Sequence, residues 1–229
     1  VGILFQPASA YVMYQPLGVV GIIVPWNYPL FLAVGPLAQA LAAGNSVMLK
    51  MSEFTPEFSA LFKQLIAAEF AESHVSVITG DAQIAQKFTQ LPFDHLLFTG
   101  ATAIARHVLH AAADNLTPVT LELGGKSPVI VAQDADLKES ARRVAFGKTM
   151  NAGQTCVAPD YALVHRSQQD AFIQAYFEVI RQFYPDSIRN NPDYTAIVSE
   201  RQFERLQHYL IDAQQKGAQL IQIEAAPGG

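Results

Sequence analysis

This sequence predicts an α/β fold, a mostly parallel open sheet with helices on both faces, and three observations carry that prediction. Strand-like apolar runs alternate with helix-like stretches along most of the 229 residues, and glycine-centred turns separate them. The run at 17–24 is rich in Val and Ile and apolar throughout, as expected of a strand buried on both faces. Strands alternating with helices at this spacing imply βαβ crossovers and a parallel sheet.

The elements follow in order. Residues 1–5 and 11–14 read as short strands, and 17–24 as a strand that Pro25 ends. Residues 30–43 are apolar and Ala-rich and stop at Gly44-Asn45, a helix with its expected terminator. A strand at 46–50 follows. Thr55, Pro56 and Glu57 then supply an N-cap, a first-turn proline and an early acid for a helix reaching about residue 71. The unit recurs as strand 75–79, a turn at Gly80-Asp81 and helix 82–91, then as strand 95–99, a turn at Gly100 and helix 102–115. Strands at 119–123 and 129–132 flank Gly124-Gly125. Beyond Asp134-Ala135-Asp136 a helix runs to about 149, and 162–165 is a strand. Ser167 is placed to cap a helix at 168–183; 184–194 is a polar turn region, 200–216 a helix ended by Gly217, and 219–223 a strand.

Composition narrows the function. Half the residues are hydrophobic and 15% are charged, which suits a well-buried core and not a disordered chain. A net charge of −5 argues against nucleic acid as the main partner. The single cysteine, Cys156, excludes an intramolecular disulfide and a multi-cysteine metal site. No charged residue precedes Lys50, so residues 17–43 have the length of a membrane span. Pro25, Pro29 and Pro36 interrupt them, Asn27 lies in their middle, and no basic flank precedes them. There is no signal-peptide layout at the start. A cytoplasmic protein is expected, and the abrupt apolar opening and the Pro227-Gly228-Gly229 end suggest a piece of a longer chain.

Several residue groups are suited to chemistry. A lone cysteine is ordinarily a small buried hydrophobe. Here Asn151-Ala152-Gly153-Gln154-Thr155-Cys156 surrounds it with small polar residues and a glycine, which suits an accessible nucleophile. Thr99-Gly100-Ala101-Thr102 lies between a strand and a helix. Gly100 permits close backbone approach, Thr99 and Thr102 are candidate caps, and the helix N-terminus favours a phosphate; an ordinary βα turn reads the same way. Lys50 and Glu53 follow another strand end, as ribose contacts or as the first surface charges after a buried strand. Glu122 interrupts an apolar strand tip just before Gly124-Gly125, either as a general base of raised pKa or as a partner for Lys126. Asn27, in Trp26-Asn27-Tyr28, is either an oxyanion donor or part of an Asx turn. His107 and His110 share a helix face without a third ligand, so no metal site is expected.

Taken together, these pieces resemble the aldehyde dehydrogenase superfamily. Pro25-Trp26-Asn27-Tyr28-Pro29, Leu121-Glu122-Leu123-Gly124-Gly125-Lys126-Ser127-Pro128 and Gly153-Gln154-Thr155-Cys156 look like its signatures in the right order, with Lys50-Met51-Ser52-Glu53 as a fourth match. The continuation Val157-Ala158-Pro159-Asp160-Tyr161 is similar to the class 3 branch, which includes fatty-aldehyde and coniferyl-aldehyde enzymes.

The resemblance implies a Rossmann-like domain followed by the first part of a catalytic domain: oligomerisation-type strands over 1–14, an NAD(P)-binding domain over 15–124 and an incomplete catalytic domain over 125–229. It implies Cys156 as nucleophile, Glu122 as general base and Asn27 as oxyanion donor. The cofactor contacts it implies are Trp26, Lys50, Glu53, Gly80, Thr99, Gly100, Ala101, Thr102 and Leu123. The cofactor would be NAD, since Glu53 near the ribose would repel a 2′-phosphate, with NADP as the alternative. An aldehyde substrate and a homodimer are implied as well. Family members are about twice this length, so the chain looks like the middle of one, and by itself it is expected to be inactive. The family commonly has glycine where this chain has Ala105, whose methyl would crowd the helix against the sheet or the cofactor. Two alternatives stay open: a CoA-acylating relative, which has no use for a water-activating Glu122, and a non-catalytic nucleotide-binding module.

Overall fold

The computed structural model describes residues 2–185, 188 and 191–223. The chain divides into two compact units, Val1–Leu123 and Gly124–Gly229.

Within the first unit, β1 (Val19–Ile23), β2 (Ser46–Lys50), β3 (Val75–Ile78), β4 (His95–Gly100) and β5 (Val119–Leu123) form one parallel sheet in the order β3-β2-β1-β4-β5. Crossover helices α1 (Pro29–Ala42), α2 (Pro56–Glu69), α3 (Ala82–Thr89) and α4 (Thr102–Ala113) link them. Alternation along the strands sorts the core into two layers. Val20, Ile22, Val24, Val47, Leu49, Val75 and Val77 pack with Ala33 and Leu37 of α1 and Phe62 and Ile66 of α2. Leu96 and Phe98 pack with Phe88 of α3 and with Ala105 and Val108 of α4, against Ile23, Met48 and Ile78. Both faces of the sheet are therefore covered, which is why β1 is apolar at consecutive positions and not at every second one.

Local chemistry explains the boundaries. Asp81 caps α3 by accepting from the backbone N–H groups of Gln83 and Ile84 at 3.0 and 3.1 Å. Thr55 occupies the cap position of α2, yet its side chain makes no capping bond and its Oγ1 is buried without a partner. Pro56 at the first helical position presets the helical φ there instead. The expected strands at the start are not formed. Ile3–Phe5 is a single 3-10 turn and residues 11–14 are irregular, while Val1 lies outside the described residues. Strands need a hydrogen-bonded neighbour, and no described strand pairs with these segments.

The second unit contains a two-stranded parallel sheet of β6 (Ser127–Val131) and β7 (Pro159–Val164). Against it pack α5 (Leu137–Thr149) and α6 (Gln169–Phe183) through Val131, Ala141 and Phe172, and the two helices meet each other through Ala145, Val179 and Ile180. Asp136 caps α5 by accepting from the Glu139 N–H at 3.0 Å. Ser199 caps α7 (Glu200–Gln215), and Gly217 follows its end with φ +86°. Two expectations are corrected here. Ser167 lies inside a 3-10 turn, Arg166–Gln168, and its hydroxyl meets the His165 ring Nδ1 at 2.8 Å, leaving α6 to begin without a side-chain cap. Residues 219–223 form no strand, because neither β6 nor β7 takes them as a partner.

Candidate active site

In the first unit the residues singled out from the sequence collect along one edge of the sheet. The register sets Ile23 beside Lys50 and Phe98, Lys50 beside Ile78, Thr99 beside Glu122 and Gly100 beside Leu123. Trp26 and Asn27 after β1, Lys50 and Glu53 at and after β2, Gly80 after β3, Thr99 to Thr102 at β4, and Glu122 and Leu123 on β5 thus lie at or just beyond carboxyl ends of parallel strands. Strand order reverses at β1 and β4, and that edge is where open α/β sheets bind ligands.

Lys50 is 1% exposed, which removes the reading of it as a surface charge. Its ammonium donates to the carbonyl oxygens of Met51 and Gly80 at 2.7 and 2.8 Å. Burial pushes its pKa below the ordinary lysine value, and the carboxylates of Glu53 and Asp81 pull it partly back. Glu53 itself is exposed. Two of three ammonium hydrogens are thereby engaged, leaving a buried cation with a donor to spare beside an exposed carboxylate.

Neither Thr99 nor Thr102 caps α4; the cap position is Ala101, with no side-chain bond to the first turn. Gly100 ends β4, and a Cβ there would come within 2.6 Å of the Phe98 ring, so any side chain would have to displace that buried ring. Ala105 is 2% exposed and belongs to the Phe88, Phe93 and Phe98 cluster. Its methyl is therefore part of the helix–sheet core.

Trp26, Asn27 and Tyr28 are half-buried in the bend between β1 and α1. Tyr28 holds a left-handed conformation at φ 50° immediately before Pro29 and accepts the Leu32 N–H at 3.0 Å. Glu122 is exposed near the tip of the edge strand β5. Val119, Leu121 and Leu123 face the α3–α4 layer, so Glu122 faces the opposite side, the one on which α1 packs. The alternative that pairs Glu122 with Lys126 is corrected: the Lys126 ammonium contacts Asp160 Oδ1 at 3.3 Å.

In the second unit Cys156 is exposed, so it is not the buried hydrophobe that a lone cysteine usually is. It follows three consecutive left-handed residues, Asn151 (φ 51°), Ala152 (φ 54°) and Gly153 (φ 73°). Each non-glycine residue held there costs on the order of 1–3 kcal/mol, and such strain clusters at functional sites. At position 153, where φ is +73°, a Cβ would also approach the Lys148 carbonyl at 3.1 Å, so a side chain there would be strained. The Ala158 N–H then bonds the Thr155 carbonyl at 3.1 Å, closing a turn with Cys156 inside it.

Gln154 stands in the sequence only as one position of a motif, yet it makes long-range bonds to residues 196 and 198. Nothing in the local pattern signals partners more than forty residues away. His107 and His110 are exposed on α4. Among the described residues no group of three His, Cys, Asp or Glu could hold a metal, and no helix is long and apolar enough to cross a membrane.

A doubly wound parallel sheet with polar residues along its carboxyl edge, followed by an α/β unit presenting a thiol on a strained loop, defines an α/β protein of the Rossmann type with a cysteine-bearing unit. The model of the aldehyde dehydrogenase family matches residues 4–227, and the chain belongs to that family. It is 60% identical over 225 residues to a probable coniferyl aldehyde dehydrogenase of Pseudomonas aeruginosa, covering 98% of this chain and 47% of that protein. It is 44% identical over 202 residues to mouse aldehyde dehydrogenase family 3 member A2, covering 88% of this chain and 42% of that protein. The class 3 resemblance is thereby borne out. The crystal structure of a Mycobacterium tuberculosis aldehyde dehydrogenase complexed with NAD+ superposes with a TM-score of 0.82 at 35% identity, over 93% of this chain and 45% of that one. The chain spans about half the length of the curated relatives it matches.

Proposed function

We propose that this chain belongs to an NAD-dependent aldehyde dehydrogenase that oxidises an aldehyde to its carboxylic acid through a thioester on Cys156. The observation that carries the reading is the exposure of Cys156 on a loop of left-handed residues, in a chain 60% identical to a probable coniferyl aldehyde dehydrogenase. Aromatic aldehydes of the coniferyl type are therefore the substrates to try first. NADP is the alternative cofactor, and a cytoplasmic homodimer is the form proposed for the whole protein.

The residues at the sheet edge fit a dinucleotide. Gly100 leaves no side chain above the β4 terminus, and α4 begins without a side-chain cap, so its first N–H groups suit a pyrophosphate. The remaining Lys50 donor and the Glu53 carboxylate suit ribose hydroxyls, with Trp26, Gly80, Thr99 and Leu123 beside them. When bound, the nicotinamide cofactor supplies the hydride acceptor.

The chain's own residues supply the rest. Cys156 Sγ attacks the aldehyde carbon as a thiolate, and the carbonyl oxygen becomes an oxyanion. The Asn27 amide and the Cys156 backbone N–H donate to that oxyanion. Loss of hydride from the resulting thiohemiacetal leaves a thioester on Cys156. Glu122 removes a proton from water, the hydroxide adds to the thioester, and the carboxylic acid leaves with Cys156 restored.

The test is NADH formation from coniferyl aldehyde by the whole protein and by Cys156→Ser; undiminished turnover in the variant would refute the assignment. The CoA-acylating alternative predicts acyl-CoA as the product and no need for Glu122, and product analysis with and without CoA separates the two. A non-catalytic module would bind NAD and form no product at all.

A further inference from the structure

We propose that Gln154 is a positioning residue for the thiol of Cys156, clamping the cysteine loop to the backbone of residues 196 and 198. The inference rests on the reading of Cys156 as the nucleophile.

Three bonds define the clamp. Gln154 Nε2 donates to the carbonyl oxygens of Asn151 at 3.0 Å and Ala196 at 3.1 Å, and Oε1 accepts the Val198 N–H at 3.0 Å. The carboxamide thus meets positions 196 and 198 with one donor and one acceptor, as a neighbouring peptide unit would in a strand pair. Its remaining donor hydrogen returns to its own loop. Asn151 reciprocates, donating from Nδ2 to the Gln154 carbonyl at 3.1 Å.

This ring of bonds spans the left-handed residues 151–153. A strained run persists only where its surroundings over-determine it, and Gln154 is where the loop is fastened to a distant segment. Cys156 follows two residues later. An exposed side chain is not located by packing, so the backbone that carries it must be held from elsewhere. Gln154 touches neither the aldehyde nor the thiol in this account; it sets where the thiol points.

The chemistry of the clamp is specific to a carboxamide. Methionine has the length but offers neither donor nor acceptor. Ionised glutamate keeps the acceptor for Val198 and loses both donors; protonated glutamate regains one O–H donor. The experiment compares Gln154→Met, Gln154→Glu and Cys156→Ser in the whole protein, with coniferyl aldehyde and NAD. Gln154→Met is expected to lower kcat roughly 10–100-fold, the usual penalty of misplacing a reacting group, with KM for NAD within about twofold. For Gln154→Glu, kcat relative to the parent should rise as pH falls from about 6.5 to 4.5, towards the ordinary glutamate value of about 4.3, because protonation restores a donor. A merely structural role would not couple the ratio to pH. A parent-like kcat in Gln154→Met, alongside an inactive Cys156→Ser, overturns the clamp and leaves the nucleophile intact. Should Gln154→Met fail to fold, the pH ratio of Gln154→Glu decides, and a flat ratio overturns the proposal. An active Cys156→Ser removes the nucleophile and the clamp with it.

Discussion

The Lys50 ammonium donates to the Gly80 carbonyl oxygen at 2.8 Å, fastening the end of β2 to the turn after β3. Burial depresses the pKa of Lys50, so at alkaline pH the unfolded chain binds more protons at this site than the folded one. The site's contribution to stability therefore rises with pH, from the depressed folded value up to the ordinary lysine value of about 10.4. Urea unfolding of the parent and Lys50→Met between about pH 8 and 10.4 should show a more positive slope of stability against pH in the parent. Equal slopes would mean that Lys50 titrates normally.

Glu139 offers the opposite case. Hydrogen bonds from Arg142 and Arg143 at 2.8 to 3.0 Å hold its carboxyl at about 2. Its contribution is present above the unfolded carboxyl value and is lost as pH falls through about 2. The group is exposed, so the effect on stability is small. An NMR titration should place the Glu139 midpoint well below the ordinary glutamate value of about 4.3, and a midpoint near that value would refute the pairing.

Exposure of Cys156 predicts that iodoacetamide labels this residue without denaturant, as peptide mapping would show, and that loss of NADH formation by the whole protein runs in parallel with labelling of Cys156. Labelling to completion with full turnover retained would remove Cys156 from the mechanism.

Glu122→Gln keeps the size of the side chain and removes the proposed base. In the proposed reaction hydride transfer precedes hydrolysis, so rapid mixing of the whole protein should show a burst of NADH followed by a steady rate reduced by about 10²–10⁴. A steady rate equal to the parent's would show that water is activated by another group.

Ala105→Gly removes a methyl that this chain packs into its core. It should lower stability by about 1 kcal/mol, from helix propensity and the lost methyl contacts, and leave NAD affinity unchanged. A tighter NAD complex in the variant would show that the methyl does obstruct the cofactor.

Much of the first unit was legible in the sequence because its information is local. Ser46–Lys50 and Val119–Leu123 fall where apolar β-branched runs place them, and Pro56, Asp81 and Asp136 mark helix starts by the bonds or φ values that they supply. The Trp26-Asn27, Glu122 and Gly153-Gln154-Thr155-Cys156 motifs were readable through their resemblance to the signatures of a known family. The early segments at 1–5 and 11–14 were misread because propensity cannot tell a strand from an apolar stretch with no neighbour to pair with. Residues 219–223 failed for the same reason.

By itself, then, the sequence determined the α/β class, the order of strands and helices between residues 17 and 216, and the family, because hydrophobic period, turn residues and motif spacing are written along the chain. Only the tertiary structure decided that Lys50 is buried against two carbonyls, that the Ala105 methyl belongs to the core and that Cys156 is exposed. It alone gave Gln154 partners 42 and 44 residues away. Burial and hydrogen bonding depend on which distant segments fold beside a residue, and no local pattern of side chains specifies that.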